Sequence, residues 1–174
     1  EDQLTQNGFT NPTQEVFSNG TSQNYFDINA GVLYSGSSNG SNNYYLGFSI
    51  YHINKPNLSF IDKSWTLASR MTVHGGGSFP IGNNLSLFTS AIYQMQNKAS
   101  ELVLGGALSV LANGDESNPT SVYIGSWMRV NDAVIPYVGI EFNGLRVGAS
   151  YDINTSGLKA ATASRGGSEF SLIY

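Results

Sequence analysis

The chain has 174 residues, enough for one domain with a sizeable core, and a net charge of −4 from 8 basic and 12 acidic side chains. Charged residues make up 11% of it, where a soluble domain carries about a quarter. Eight scattered Lys and Arg argue against a nucleic-acid surface, the lack of cysteine excludes disulfide and thiolate chemistry, and no stretch reaches the roughly 20 apolar residues of a spanning helix.

Residues 1–23 are polar, rich in Asn, Thr and Gln, and read as a loop, with one helical turn around Pro12–Val16. From residue 24 to 174 turns separate segments in which apolar residues recur on every second position, most clearly from Leu145, the period of a strand whose two faces differ. The first strand, 24–35, puts Phe26, Ile28, Ala30, Val32 and Tyr34 on one face and Asp27, Asn29 and Gly31 on the other. GSSNGSN (36–42) is a turn, and 43–54 alternates Tyr44, Leu46, Phe48 and Ile50 with Tyr45, Gly47 and Ser49. Pro56 ends it, since proline cannot donate to a ladder, and a loop over 55–63 leads to a third strand, 64–79, with Trp65, Leu67, Met71 and Val73 outward. Strands at 85–96, 100–111, 121–131, 133–142, 145–154 and 166–174 follow, the 113–120 segment being a connecting turn. Asn143-Gly144 supplies the positive φ angles of a tight hairpin between two clear alternations, Val134–Phe142 and Leu145–Ile153.

About nine strands with one apolar and one small or charged face define an all-β fold, an antiparallel transmembrane outer-membrane β-barrel whose neighbour is the lipid bilayer. Bacterial single-chain barrels have even strand numbers, and an open edge in lipid leaves backbone groups unsatisfied. The odd count therefore predicts further strands upstream of Glu1, with 24–174 forming the C-terminal part of a larger even-numbered barrel.

The stretch YYLGFSIYHINKPNLSF (44–60) resembles the G-S-x-x-H-x-N-x-P segment of the PorP/SprF family, outer-membrane proteins of the Bacteroidota type IX secretion and gliding apparatus. The resemblance continues in order through GGGSFPIGNNLSL (75–87), GSWMRVNDAVIPYVGIEF (125–142), VGASYDINTSGL (147–158) and GSEFSLIY (167–174), and spans Asp27 to the C-terminus. It singles out Gly47, Ser49, His52, Asn54, Pro56, Arg129, Tyr151 and Asp152 as family positions. It implies a bacterial outer-membrane accessory of protein secretion. Its partners would be the C-terminal domain of a secreted adhesin, a periplasmic peptidoglycan-binding lipoprotein and other secretion components.

Candidate chemistry is sparse. His52 and His74 are the two histidines, and neither has a nucleophile or metal-ligand partner at useful spacing. Gly75-Gly76-Gly77 lacks the Gly-Lys-Ser/Thr ending of a phosphate loop and reads as a bend where the sheet curves. Asn113, Asp115 and Glu116 do not fit a Ca²⁺ loop. Arg70, Arg129, Arg146, Glu101, Glu141 and Asp152 all fall on the inner face, where they are expected to pair across the interior. No catalytic, cofactor or metal residue is assigned, and no enzyme activity is expected. Phe170, Leu172 and Tyr174 form the alternating, aromatic-ended terminus that outer-membrane assembly machinery reads. The main alternative function is a passive porin or hydrophobic-solute channel, against which the large inward Tyr123, Trp127 and Tyr137 weigh. A soluble β-sandwich adhesin would need a solvated polar face, and a lipase or protease would need the missing nucleophile–His pair.

Overall fold

A computed structural model describes residues 4–5, 8–9, 24–60, 63–113, 118–157 and 165–174. The 1–23 loop with its Pro12–Val16 turn, the Asp115 and Glu116 carboxylates and most of the 155–165 loop lie outside the described residues, apart from one short pairing of β1 (Leu4–Thr5) with β2 (Gly8–Phe9).

The body of the protein is one antiparallel sheet of nine strands, among the described residues without any helix. They are β3 (Ala30–Ser38), β4 (Asn42–Tyr51), β7 (Arg70–Ile81), β8 (Leu85–Gln96), β9 (Ala99–Asn113), β10 (Thr120–Arg129), β11 (Ala133–Phe142), β12 (Leu145–Asn154) and β13 (Arg165–Ile173). Each pairs with the next in the chain, and β3 and β13 are the sheet's edges. The sheet curls enough for Ser35 and Gly36 of β3 and Ser171 and Ile173 of β13 to line a single cleft.

The turns follow from backbone chemistry. Asn39-Gly40 and Asn143-Gly144 both hold consecutive positive φ angles, 54° and 69° in the first and 54° and 80° in the second. The loop at 143–144 has two residues, between paired Phe142 and Leu145, and that at 39–41 has three, between paired Ser38 and Asn42; Asn and Gly adopt the positive φ angles both need at least cost. Asn97, directly after β8, and Asn131, two residues after β10, also take positive φ.

The first three expected strands differ most from the sequence expectation: the first runs on to Ser38, into the expected 36–42 turn, the second stops at Tyr51, and the expected 55–63 loop contains a strand at Asn57–Phe60. The first strand begins at Ala30, because 26–29 is held against the 52–54 turn mainly by the Asn29 and Asn54 side chains, outside the ladder. The third expected strand, 64–79, is two elements. β4 leaves its pairing with β7 at Tyr51, where His52 turns with φ 57°, so residues before Arg70 have no partner there. They pair instead within a side hairpin of β5 (Asn57–Phe60) and β6 (Lys63–Thr66), closed by the Leu67 N–H donating to the Pro56 carbonyl at 2.9 Å.

The two faces of the sheet are chemically distinct. On the outer face a row of directly opposed residues runs Leu87, Leu108, Ile124, Val138, Ala149, Phe170 across β8 to β13. Ile124 is 61% exposed, Val138 57% and Phe170 83%. A second row on the same face runs Val32, Phe48, Val73, Tyr93. Apolar rows this continuous and this exposed exceed what a solvated monomer carries. The inner face is small residues under rings. Tyr137 covers Gly139, a Cβ at Gly76 would lie 2.8 Å from the Tyr45 hydroxyl, and one at Gly47 would run into the His74 ring. Gly75, Gly76 and Gly77 keep register with both β4 and β8, so they form no bulge; they make room for neighbouring side chains.

Candidate functional site

Polar side chains concentrate at the end of the sheet where β4, β8, β10 and β12 finish and β7, β9, β11 and β13 begin. Two constellations occupy it.

The first joins segment 26–29 to the 52–54 turn. The Asn54 side chain accepts the Ile28 N–H at 3.0 Å and donates to the Phe26 carbonyl at 2.7 Å. Reciprocally, the Asn29 side chain accepts the His52 N–H at 2.9 Å, and the Ile53 N–H donates to the Ile28 carbonyl at 2.9 Å. His52 Nδ1 sits 2.9 Å from Asp27 Oδ2; a carboxylate only accepts, so this nitrogen carries hydrogen. The His52 carbonyl accepts the Ser69 hydroxyl at 2.9 Å. Pro56 is buried behind the turn, and Lys55 takes φ 45°. His52, Asn54 and Pro56 thus serve one turn.

The second constellation centres on Arg129. Its guanidinium donates to Asp132 at 3.0 Å and to Asp152 at 3.1 Å, with Glu101 at 3.7 Å. Gln94 donates to Glu101 at 2.9 Å. Arg129 and Asp152, 23 residues apart, are brought together because β10 and β12 flank β11. The Asp132 carboxyl, in the turn after β10, is held below the usual carboxylate range, first by the Arg129 hydrogen bond and second by Ser156.

Towards the other end of the sheet Arg146 Nε donates to Glu141 at 2.8 Å and Arg146 also donates to the Tyr123 hydroxyl at 2.7 Å, with its guanidinium 3.9 Å from the Tyr123 ring centroid. The Tyr123 hydroxyl donates to Glu141 at 2.9 Å. Beside this group lies the cleft of ≈ 900 Å³, lined by Tyr45, Phe88, Tyr123, Trp127 and Tyr137 among others. Trp127 meets Tyr137 edge-on at 5.8 Å and donates its indole N–H to Ser90 at 2.8 Å.

The inner-face pairing expected of the charged residues therefore holds for Arg129, Arg146, Glu101, Glu141 and Asp152. It does not hold for Arg70, which makes no ion pair with any described residue and stacks on Tyr51 at 4.3 Å. Its strand partners are Tyr51 and Gln96, neither of them acidic. Of the remaining family positions, Gly47 is buried beneath His74, Ser49 lies opposite Gly31 and Thr72, and Tyr151 is exposed on the outer face. Phe170, Leu172 and Tyr174 are exposed on or just beyond edge strand β13. Asp27 and Asn29 escaped the sequence reading. Their signal was a recurring tripeptide: Asp27-Ile28-Asn29, His52-Ile53-Asn54 and Asp152-Ile153-Asn154 all stand at this one end of the sheet. Among the described residues no group of three or more His, Cys, Asp or Glu could hold a metal ion.

A curled antiparallel meander, apolar and exposed outside, ion-paired and ring-filled inside, defines an all-β protein built to present a hydrophobic surface outward. The chain belongs to the type IX secretion system membrane protein PorP/SprF family, whose model matches residues 1–174 and so begins earlier than the Asp27 expected from the motifs. No curated protein and no solved structure matches it.

Proposed function

We propose that this chain forms the wall of an outer-membrane β-barrel that assists type IX secretion by docking or retaining the C-terminal domain of a secreted adhesin at the cell surface. In this reading it is linked to a periplasmic peptidoglycan-associated partner and carries out no catalysis. The observation that carries the proposal is the family membership of the whole chain, joined to an outer face of exposed aliphatic and aromatic rows. Such rows suit acyl chains, and a sheet can span lipid only when its edges are closed by further pairing. Docking draws support from the end of the sheet that holds both polar constellations, since such a rim offers turns and fixed hydrogen-bonding groups to a partner. The rings of Tyr123, Trp127 and Tyr137 converge in the interior and weigh against a passive channel.

Deletion of the gene tests the proposal. One or a few secreted proteins should remain in the periplasm while bulk secretion and small-solute uptake continue, and the protein should co-purify with a cargo C-terminal domain in mild detergent. Normal export of every cargo, together with large steady ion-conducting pores from the purified protein, would establish the porin reading instead.

A further inference from the structure

Arg70 carries one of two buried, unpartnered side-chain polar atoms among the described residues, the other being the Ser171 hydroxyl oxygen. It opens β7 on the inner face, opposite Tyr51 of β4 and Gln96 of β8. Its guanidinium rests on the Tyr51 ring, and its Nε is buried without a hydrogen-bond partner. Arg129 shares three carboxylates and Arg146 has Glu141, so Arg70 differs from both. Buried guanidinium donors are ordinarily satisfied, and a planar guanidinium without a carboxylate partner suits an acceptor that arrives from outside.

The space for that acceptor is present. A pocket of ≈ 290 Å³ opens beside Arg70, bordered by Gln94, Gln96 and Glu101. Of its other polar groups, Gln96 donates to the Ala68 carbonyl at 2.9 Å, Glu101 is held by Gln94 and Arg129, and Ser100 also lines it. The stacked, planar fork of Arg70 offers parallel N–H donors at the spacing of two oxygens on one carbon. Glu101 on the pocket wall repels an anion of more than one charge, which disfavours phosphate. We propose that Arg70 anchors a carboxylate-binding site at the inner rim, taking a peptide carboxylate from an acidic side chain or a free C-terminus. The site is independent of the docking role, because a small carboxylate reads it whether or not a secreted protein binds there.

The test is a titration of the full chain in detergent, following the arginine Nε–H resonances by NMR. The probes are N-acetyl-alanine for a terminal carboxylate, N-acetyl-aspartate α-amide for a side-chain carboxylate, N-acetyl-alanine amide as the neutral control, and inorganic phosphate. A saturable shift of the Arg70 Nε–H with at least one carboxylate supports the site, and the stronger of the two names the source. Arg70→Gln should weaken binding at least about tenfold, and Arg70→Lys, a point charge without the fork, should fall between. The wild-type titration stands even if a variant fails to fold. Absence of saturation with both carboxylates, an equal response to the neutral amide, tighter binding of phosphate, or unchanged affinity in folded Arg70→Gln would each overturn the proposal.

Discussion

Asn29 and Asn54 each accept a backbone N–H from the other's segment, so each satisfies a donor that has left the ladder. The Asn54 side chain holds both the Ile28 N–H and the Phe26 carbonyl, so its removal loses two hydrogen bonds at once, each exposed and worth about 0.5–1 kcal/mol. Asn54→Ala should therefore lower stability by about 1–2 kcal/mol and speed proteolysis within residues 24–29. His52→Ala removes the part-exposed hydrogen bond to Asp27 and should cost less than about 1 kcal/mol, leaving any export activity in place. Unfolding midpoints of the two variants in one detergent rank them; a costlier His52→Ala would give the histidine a role beyond the turn. Acid acts at the neighbouring constellation. Because the folded Asp132 carboxyl sits below its ordinary value, its contribution is present above the unfolded value of about 3.9 and is lost as pH falls through the lower folded one. The wild-type melting temperature should thus drop below about pH 4, and Asp132→Asn, with no such proton to take up, should show a shallower drop over the same range.

At the scale of the strand, alternation decides what a substitution meets. Val138 is exposed on the outer face, whereas Ser150, opposite Tyr137, is half-buried on the inner one. Under the proposed membrane placement, Val138→Arg should cost about 2–4 kcal/mol in a lipid-refolding assay if it lies near the bilayer midplane. Ser150→Arg should be milder, and equal costs at both positions would remove the assignment of faces. This two-residue period is also why most of the sheet was legible: every strand from Leu85 onward lies within a residue or two of its expected bounds. What escaped was whatever depends on a partner far along the chain. Nothing local in residues 26–29 announces that Asn54 will hold them out of the sheet, and nothing local in Trp65 or Leu67 shows that their strand loses its neighbour at His52. The charged inner face was legible as a set, and the pairing of Arg129 with Asp152 needed the strand order. Arg70 read like the others until its neighbours, Tyr51 and Gln96, were in place.

For the molecule as a whole, strand direction fixes which turns share a side. Asn97-Lys98 lies at the end with the two polar constellations, and Gly82-Asn83-Asn84 lies at the opposite end. With the C-terminus at the periplasmic rim, a thiol at Lys98→Cys should react with a membrane-impermeant reagent on intact cells, and one at Asn83→Cys only after permeabilisation; the native sequence, free of cysteine, provides a clean background. The reverse pattern would invert the orientation. The order of the sheet has a kinetic consequence as well. Since every strand bonds to its sequence neighbour, with only the β5–β6 hairpin interposed between β4 and β7, the sheet needs no distant segment to be captured before a near one can pair. Loop-closure entropy is then met in small instalments, and contact order stays low for an all-β chain. Assembly can proceed as a zipper, one hairpin added to a growing edge, and a chain stalled midway would hold its finished hairpins in register while awaiting the next.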